Sequence, residues 1–512
     1  MPNIIGIDLG TSTTLMAVLS NSGEAILSKN SSGDLLTHSA VWFEGDDRIV
    51  IGTEAKKMLG VVPDGQIFVE FKRDMGDENI VHEINGKRWR PRNFSALVLK
   101  QIKEYYESNN GTIDAAIITI PANFSDQQRV DTIEAAKEAG FILGNDALVN
   151  EPTAAAVYYA STSPSQLKGK YLIYDFGGGT FDATILEVNG DAINVLTSMG
   201  VQRLGGKDLD RKLIEIIANK FSKLTGSESD PDETLKEVQL TKHDVEQLKH
   251  TLSVRDKVSV PLRSTAHGML RTEVTRNEFE ASISTLITQA ELAVDTALES
   301  AGLKPFDLAG VFLAGGSTLV PAVSQSIERH LGIKAISRDP VGSVALGACL
   351  YAAIRNKSKL NPGQSGVISK KKVQDVTPHF FGTTYVERET KRFRVKTIIP
   401  KDQPLPCKKT ELFVRGPENS STIQIRVTQS PQDQTDPDLV EFIWEGAFED
   451  LPPVATDSEM RVTYEYDVNG VMNCSVLDAA TGRTLDSKID KAKLKASGNK
   501  TDGVDIDDFI IE

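Results

Sequence analysis

The chain has 512 residues, of which 40% are hydrophobic and 25% charged, with a formal net charge of −14. That length exceeds one ordinary core, so two to four domains of roughly 100 to 200 residues are expected. The acidic balance argues against nucleic-acid binding and against adhesion to anionic membranes, both of which favour a basic surface.

The opening MPNIIGIDLG runs straight into a strand-like sequence and has no export-signal pattern. Nowhere do eighteen apolar residues run together, so no membrane span is expected. Cys349, Cys407 and Cys474 are far apart and form no CxxC pair. Buried thiols in a reducing cytoplasm are the simplest reading.

Residues 4–14, IIGIDLGTSTT, are an apolar strand followed by Asp8 and a glycine turn rich in hydroxyls. β-rich runs such as DAAIITIP and KYLIYDFGG then alternate with helical stretches, an α/β pattern. In LDRKLIEIIANKFSKL, residues Leu209, Leu213, Ile217, Phe221 and Leu224 recur at helical spacing and define an apolar face. NKSKLNPGQSGVISKKK, after Ala353, is a solvated, mobile linker by composition. Short alternating runs follow, among them STIQIRVTQS and RVTYEYDVNG, as in a β-sandwich. Asn469-Gly470 marks a hairpin. Phe442, Ile443 and Trp444 read either as a peptide cleft or, more simply, as a core strand. The final KASGNKTDGVDIDDFIIE reads as a flexible acidic tail with an apolar tip. It is either a solubilising end or a short motif that docks in an apolar groove through Phe509, Ile510 and Ile511.

LIYDFGGGTFD, residues 172–182, repeats the opening motif with Asp175 in place of Asp8. Two copies suggest a duplicated half-domain, one hairpin from each half facing a common cleft. Glycine turns let backbone N–H groups approach phosphate, and the hydroxyls of Thr11, Ser12, Thr13 and Thr180 add donors. Carboxylates there would repel phosphate unless a divalent cation stood between, and Mg²⁺ suits such a site. The plain alternative is a pair of ordinary Asp-Gly turns.

With IIGIDLGTS, FKRDMGD, ITIPANFSDQQR, NEPTAAA, YDFGGGTFD, LGGKDLD, FLAGGSTLVP and DVTP, the chain resembles the heat-shock-protein-70 (DnaK-type) chaperone family. The resemblance implies an α/β actin-like ATPase domain of two pseudo-symmetric lobes, followed by an all-β sandwich. It gives an ATPase domain at 1–355, a linker at 356–374, a substrate-binding β domain at 375–494 and a tail at 495–512. About eighteen residues follow Leu494, so no helical lid is expected. By the same resemblance, Thr11, Ser12, Thr13, Gly177, Gly178, Gly179 and Thr180 hold phosphates of ATP or ADP. Asp8 and Asp175 bind hydrated Mg²⁺, and Asp182 lies near the metal and potassium (K⁺) sites. Lys72, Glu151, Asp175 and Thr180 form the catalytic set, Lys72 on the γ-phosphate and Glu151 placing the attacking water. Gly205, Gly206, Glu246, Lys249, Ser253, Gly315, Gly316 and Ser317 serve the adenosine side.

Taken singly, Lys72 would be a solvated loop lysine, Glu151 a helix-start acid and the EQLKHTLS segment an exposed helix. Pro121 matches a proline implicated in domain communication. The implied function is slow ATP hydrolysis coupled to binding of unfolded or extended polypeptides, with a J-domain cochaperone, a nucleotide-exchange factor and a role in the stress response. Departures qualify this. Lys371, Lys372, Val373 and Gln374 replace a leucine-like linker, which weakens the expected interdomain coupling. Ala147 replaces an arginine that receives the J-domain, Leu319 an arginine near adenine, and Val341 and Gly342 an acidic pair. A non-cycling, ATP-bound scaffold or cochaperone is the alternative function, and a kinase or filament-forming ATPase fits NEPTAAA and the β domain less well.

Overall fold

The computed structural model describes residues 2–45, 48–63, 65–144, 147–163, 166–227, 230–368, 371–415, 421–453, 458–486, 504, 506 and 509–511. The chain divides into two compact units. One comprises residues 1–122, 132–373 and 505–512, the other residues 123–131 and 374–504.

Two sheets organise the first unit. In one, the strand order is Leu148–Asn150, Ala115–Ile120, Ile4–Leu9, Thr13–Leu19, Ala25–Leu27. In the other it is Ala335–Ser337, Leu308–Ala314, Lys168–Phe176, Phe181–Asn189, Ala192–Val201. Both run parallel, parallel, antiparallel, antiparallel across that order. The repeat inferred from two motifs therefore extends to the topology of whole sheets, with Asp8 and Asp175 on matching central strands. Burial on both faces explains why these strands read as continuous apolar runs, such as the fully buried Ala115–Ile120.

The helices Glu151–Thr162 and Ser343–Arg355 pack on the core that includes Ile4, Ile117 and Ile173. A Cβ on Gly347 would collide with the backbone of Ala154, so glycine permits this close approach. The approach fixes the helix whose first residue is Glu151. The helix Gly206–Thr225 buries Leu209, Leu213, Ile217 and Phe221 completely, as the spacing predicts. Leu224, counted in the same face, is 53% exposed because the helix ends at Thr225.

In the second unit, two antiparallel four-stranded sheets share one core that includes Phe381, Trp444, Tyr464 and Val476. Trp444 is buried and Phe442 is 40% exposed although they are two residues apart on the strand Glu441–Phe448, because a register shift falls between them where Trp444 faces Val427 and Phe442 faces Thr428. The strands Glu459–Tyr466 and Met472–Asp478 form the expected hairpin. Its turn is wider than an Asn-Gly pair requires: Asp467 N donates to Val471 O at 3.1 Å, Asp467 Oδ1 accepts from Asn469 N and Val471 N, and only Gly470 takes positive φ.

Two sequence-based expectations are corrected. The segment read as a mobile linker contains the helix Pro362–Ile368 and the strand Lys372–Gln374, which extends the second sheet beside Ala192–Val201. Composition missed this because backbone and side-chain amides hold the segment: Lys372 N donates to Asp191 O at 2.8 Å, and buried Gln364 donates to Ser20 O. The tail read as flexible ends in Ile510–Ile511, a strand paired in parallel with Arg48–Ile51. The helical-lid expectation and most of the tail concern residues outside the described set.

Candidate functional site

The strands Ile4–Leu9 and Thr13–Leu19 leave a tight turn in which a Cβ on Gly10 would collide with Thr13 O. In the matching hairpin, Phe176 faces Phe181 and the loop Gly177–Thr180 closes through Gly177 N donating to Thr180 O at 3.0 Å. The two loops meet. A Cβ on Gly178 would strike Ser12 Oγ, and one on Gly179 would lie 2.5 Å from Thr11 Oγ1. Glycine is needed here because the side chains of Thr11 and Ser12 lie directly against the backbone of the Gly177–Thr180 loop.

Two further turns join them. Gly206 N donates to Gly177 O and Lys207 N to Gly178 O, each at 3.0 Å, and a Cβ on Gly205 would lie 2.5 Å from Gly179 N. From the fourth turn, Ser317 Oγ donates to Gly177 O at 2.8 Å. Gly315, at φ 81°, lies so close to Asp175 that a Cβ would come within 2.6 Å of its Oδ1. Gly316 is open, with only Val341 at the edge of contact.

Beside these loops stand the carboxylates. Asp175 and Asp182 are opposite each other in strand register and both are buried. Asp175 Oδ2 and Asp182 Oδ1 have no hydrogen-bond partner. Burial, then Glu151 and the neighbouring aspartates, pushes the Asp175 carboxyl well above its usual range; burial and Glu151 do the same to Asp182. Burial and Glu151 also raise Asp8 to about 7, against the opposing pull of Lys72 and of Thr119 Oγ1, which donates to Asp8 Oδ1 at 3.1 Å. Orphaned buried oxygens of this kind fit a bound cation. Among the described residues no group of three His, Cys, Asp or Glu could hold an ion directly. The unpartnered oxygens of Asp175 and Asp182 suit a cation that keeps most of its own waters, as Mg²⁺ does.

Lys72 is no solvated loop lysine. It is buried in the short helix Phe71–Asp74, and its Nζ donates to Glu151 Oε1 at 2.6 Å. The helix Lys242–Val254 is likewise not an exposed one: Glu246 and Lys249 are buried. Lys249 Nζ bonds Gly206 O at 3.0 Å and Asp210 Oδ1 at 2.8 Å. Glu246 pairs with Lys56, on the helix Thr53–Lys57. Burial alone would raise Glu246, yet Lys207 and Lys56 hold it down to about 2, while burial lowers Lys56 despite this partner. Both heads are buried and in contact, as an ion pair. Ser253 stands apart: its hydroxyl donates to Lys249 O within its own helix at 3.0 Å.

The sequence reading missed Lys56, Arg73, Asp208 and Asp210. Arg73 Nη2 donates to Gly179 O at 2.9 Å and to Asp208 Oδ2 at 2.8 Å, and Asp208 Oδ2 accepts from Gly205 N at 2.8 Å. Three of these lie inside FKRDMGD and LGGKDLD, where a charged residue beside each chosen one was the available signal. Lys56, in TEAKK, carried none. Of the departures, Ala147 is buried and Leu319 is 55% exposed.

The Hsp70 protein family model matches residues 4–505. The chain is 33% identical over 493 residues to the chaperone protein DnaK of Thermosipho melanesiensis, covering 94% of this chain and 79% of that relative. The corresponding proteins of Thermotoga neapolitana and Thermosipho africanus are also 33% identical, over 493 and 494 residues. Paired glycine loops around orphaned carboxylates and a similarity spanning nearly the whole chain lead to one assignment: the chain belongs to the Hsp70 family, as a DnaK-type member.

Proposed function

We propose that the chain binds ATP at the four converging turns, hydrolyses it slowly to ADP and phosphate, and binds unfolded or extended polypeptide through its β unit. The observation that carries this is the meeting of the Gly10–Thr13 and Gly177–Thr180 loops beside two buried carboxylates with unpartnered oxygens. Phosphoryl transfer needs little covalent chemistry from protein; it needs positioning and charge stabilisation. Backbone amides and hydroxyls of Thr11, Ser12, Thr13 and Gly177–Thr180 would bind the β- and γ-phosphates. Lys72 would stabilise charge on the γ-phosphate, and Glu151, at the start of its helix, would orient the attacking water. Asp8, Asp175 and Asp182 would hold hydrated Mg²⁺, which neutralises charge between them and the phosphates, and K⁺ would sit nearby. Lys249, Glu246, Gly315 and Ser317 would bound the adenosine side.

For the β unit, support comes from exposed apolar side chains at Leu412 and Val414 on one strand, together with Phe393 and Leu439. Action in the cytoplasm, with a nucleotide-exchange factor and a J-domain partner weakened by Ala147, completes this reading. A non-cycling scaffold is the second reading, favoured by the polar linker strand Lys372–Gln374.

The test is calorimetric ATP binding with and without Mg²⁺, followed by single-turnover hydrolysis. Lys72→Ala, Glu151→Ala and Thr180→Ala are each expected to slow hydrolysis by about 10²-fold or more while ATP still binds. Mg²⁺-independent binding, or three variants as fast as the parent, would overturn the assignment. Tight binding with no turnover in the parent would select the scaffold.

A further inference from the structure

Residues beyond the matched stretch 4–505 contain a segment that the nucleotide chemistry does not use. Ile510 and Ile511 add a parallel strand to the edge of Arg48–Ile51, with Ile510 opposite Arg48 and Ile511 opposite Ile49. They complete a four-stranded sheet with Ala40–Phe43 and Ile67–Val69. Side chains anchor the same segment. Phe509 meets fully buried Trp89 edge-on, with centroids 5.3 Å apart, and Lys87 Nζ lies 4.4 Å from the centre of the Phe509 ring. Lys100 Nζ donates to Ile506 O at 3.1 Å, and the Ile506 side chain is buried. Trp89 is itself packed against Phe43 and Phe94, so the aromatic wall has support independent of the segment.

This is strand addition, in which the main chain supplies affinity and side-chain pockets supply selectivity. We propose that the edge of Arg48–Ile51, walled by Trp89, Lys87 and Lys100, is a peptide-binding site for a short acidic-apolar segment, and that its resident occupants are Ile506 and Phe509–Ile511 of the same chain. In sequence the anchoring residues alternate with Asp505, Asp507 and Asp508, a charge pattern complementary to Lys87 and Lys100. Nineteen residues, 487–505, separate the segment from the preceding strand Thr484–Asp486, so attachment in cis raises its local concentration without any new contact. The occupant also covers a strand edge bearing Ile49, Val50 and Ile51, which would otherwise invite pairing between molecules.

Hydrogen exchange on the full chain tests this. The Ile49 amide, in register with Ile511 on the edge that the segment covers, is expected to exchange at least about tenfold faster in Phe509→Ala and after deletion of residues 502–512, because its ladder partner is lost. The strand Lys168–Phe176 should stay unchanged in both variants, which separates undocking from unfolding. A synthetic peptide of residues 502–512 added to the deletion variant should restore protection, and the same peptide carrying Phe509→Ala should not. Equal exchange in parent and variants would overturn the proposal. So would protection that disappears on dilution together with a dimer in sedimentation, which would place the segment on a second copy.

Discussion

Asp175 and Asp182 gain nothing from burial by themselves: each has an oxygen that no donor reaches, and burial drives both carboxyls upward. Stability is given up locally to hold charge where a ligand is meant to arrive. The glycines beside them allow a graded test. A Cβ on Gly205 meets the backbone of Gly178 and Gly179 at 2.5 to 2.6 Å, whereas one on Gly206 meets only the side-chain ends of Ser317 and Lys249, at 2.9 and 3.1 Å. Gly205→Ala should therefore weaken ATP binding by tenfold or more, about 1.4 kcal/mol, and Gly206→Ala by clearly less, as read by calorimetry. His379 offers a second residue-scale test. Burial lowers it to about 3 from an ordinary 6.5. The unfolded chain takes up this proton below pH 6.5 while the folded chain stays neutral, so stability should fall as pH drops from 6.5 towards 3. The slope from this one group is at most about 1.4 kcal/mol per pH unit. Urea unfolding at pH 7 and pH 5 should show that His379→Gln has a shallower pH dependence than the parent.

Charge also joins helices within the first unit. Lys56 on Thr53–Lys57 meets Glu246 on Lys242–Val254, both buried. Removing one head leaves the other buried and unpaired, so Lys56→Ala should cost roughly 3 to 5 kcal/mol in denaturant unfolding. Lys56→Ala combined with Glu246→Ala should cost less than the sum of the single changes. The strand Lys372–Gln374 depends on the main chain, with Lys372 N bonded to Asp191 O. Lys372→Pro, which removes that donor, should speed proteolysis of the linker, and Lys372→Ala should leave it nearly unchanged. That strand also shows why part of the fold was hidden in the sequence. Apolar periodicity reports side-chain burial, and a Lys-rich segment held by backbone hydrogen bonds has no such signal. Ile510–Ile511 was hidden for a related reason, since the three-residue apolar tip Phe509–Ile511 calls for cover without saying which edge supplies it.

At the scale of the molecule, the repeated apolar strand, aspartate and glycine turn was legible because phosphate chemistry constrains both copies, and their sheets share one strand order. The partners that brace the site, Lys56, Arg73, Asp208 and Asp210, were not, because a buried ion pair and an exposed lysine look alike in sequence. The central claim is that the paired loops form a hydrolytic site. Its most direct test is single-turnover ATP hydrolysis with Mg²⁺, comparing the parent with a triple Lys72→Ala, Glu151→Ala, Thr180→Ala variant. The account predicts measurable turnover in the parent and a rate lower by at least about 10²-fold in the triple variant. A parent rate no faster than that of the triple variant would contradict it.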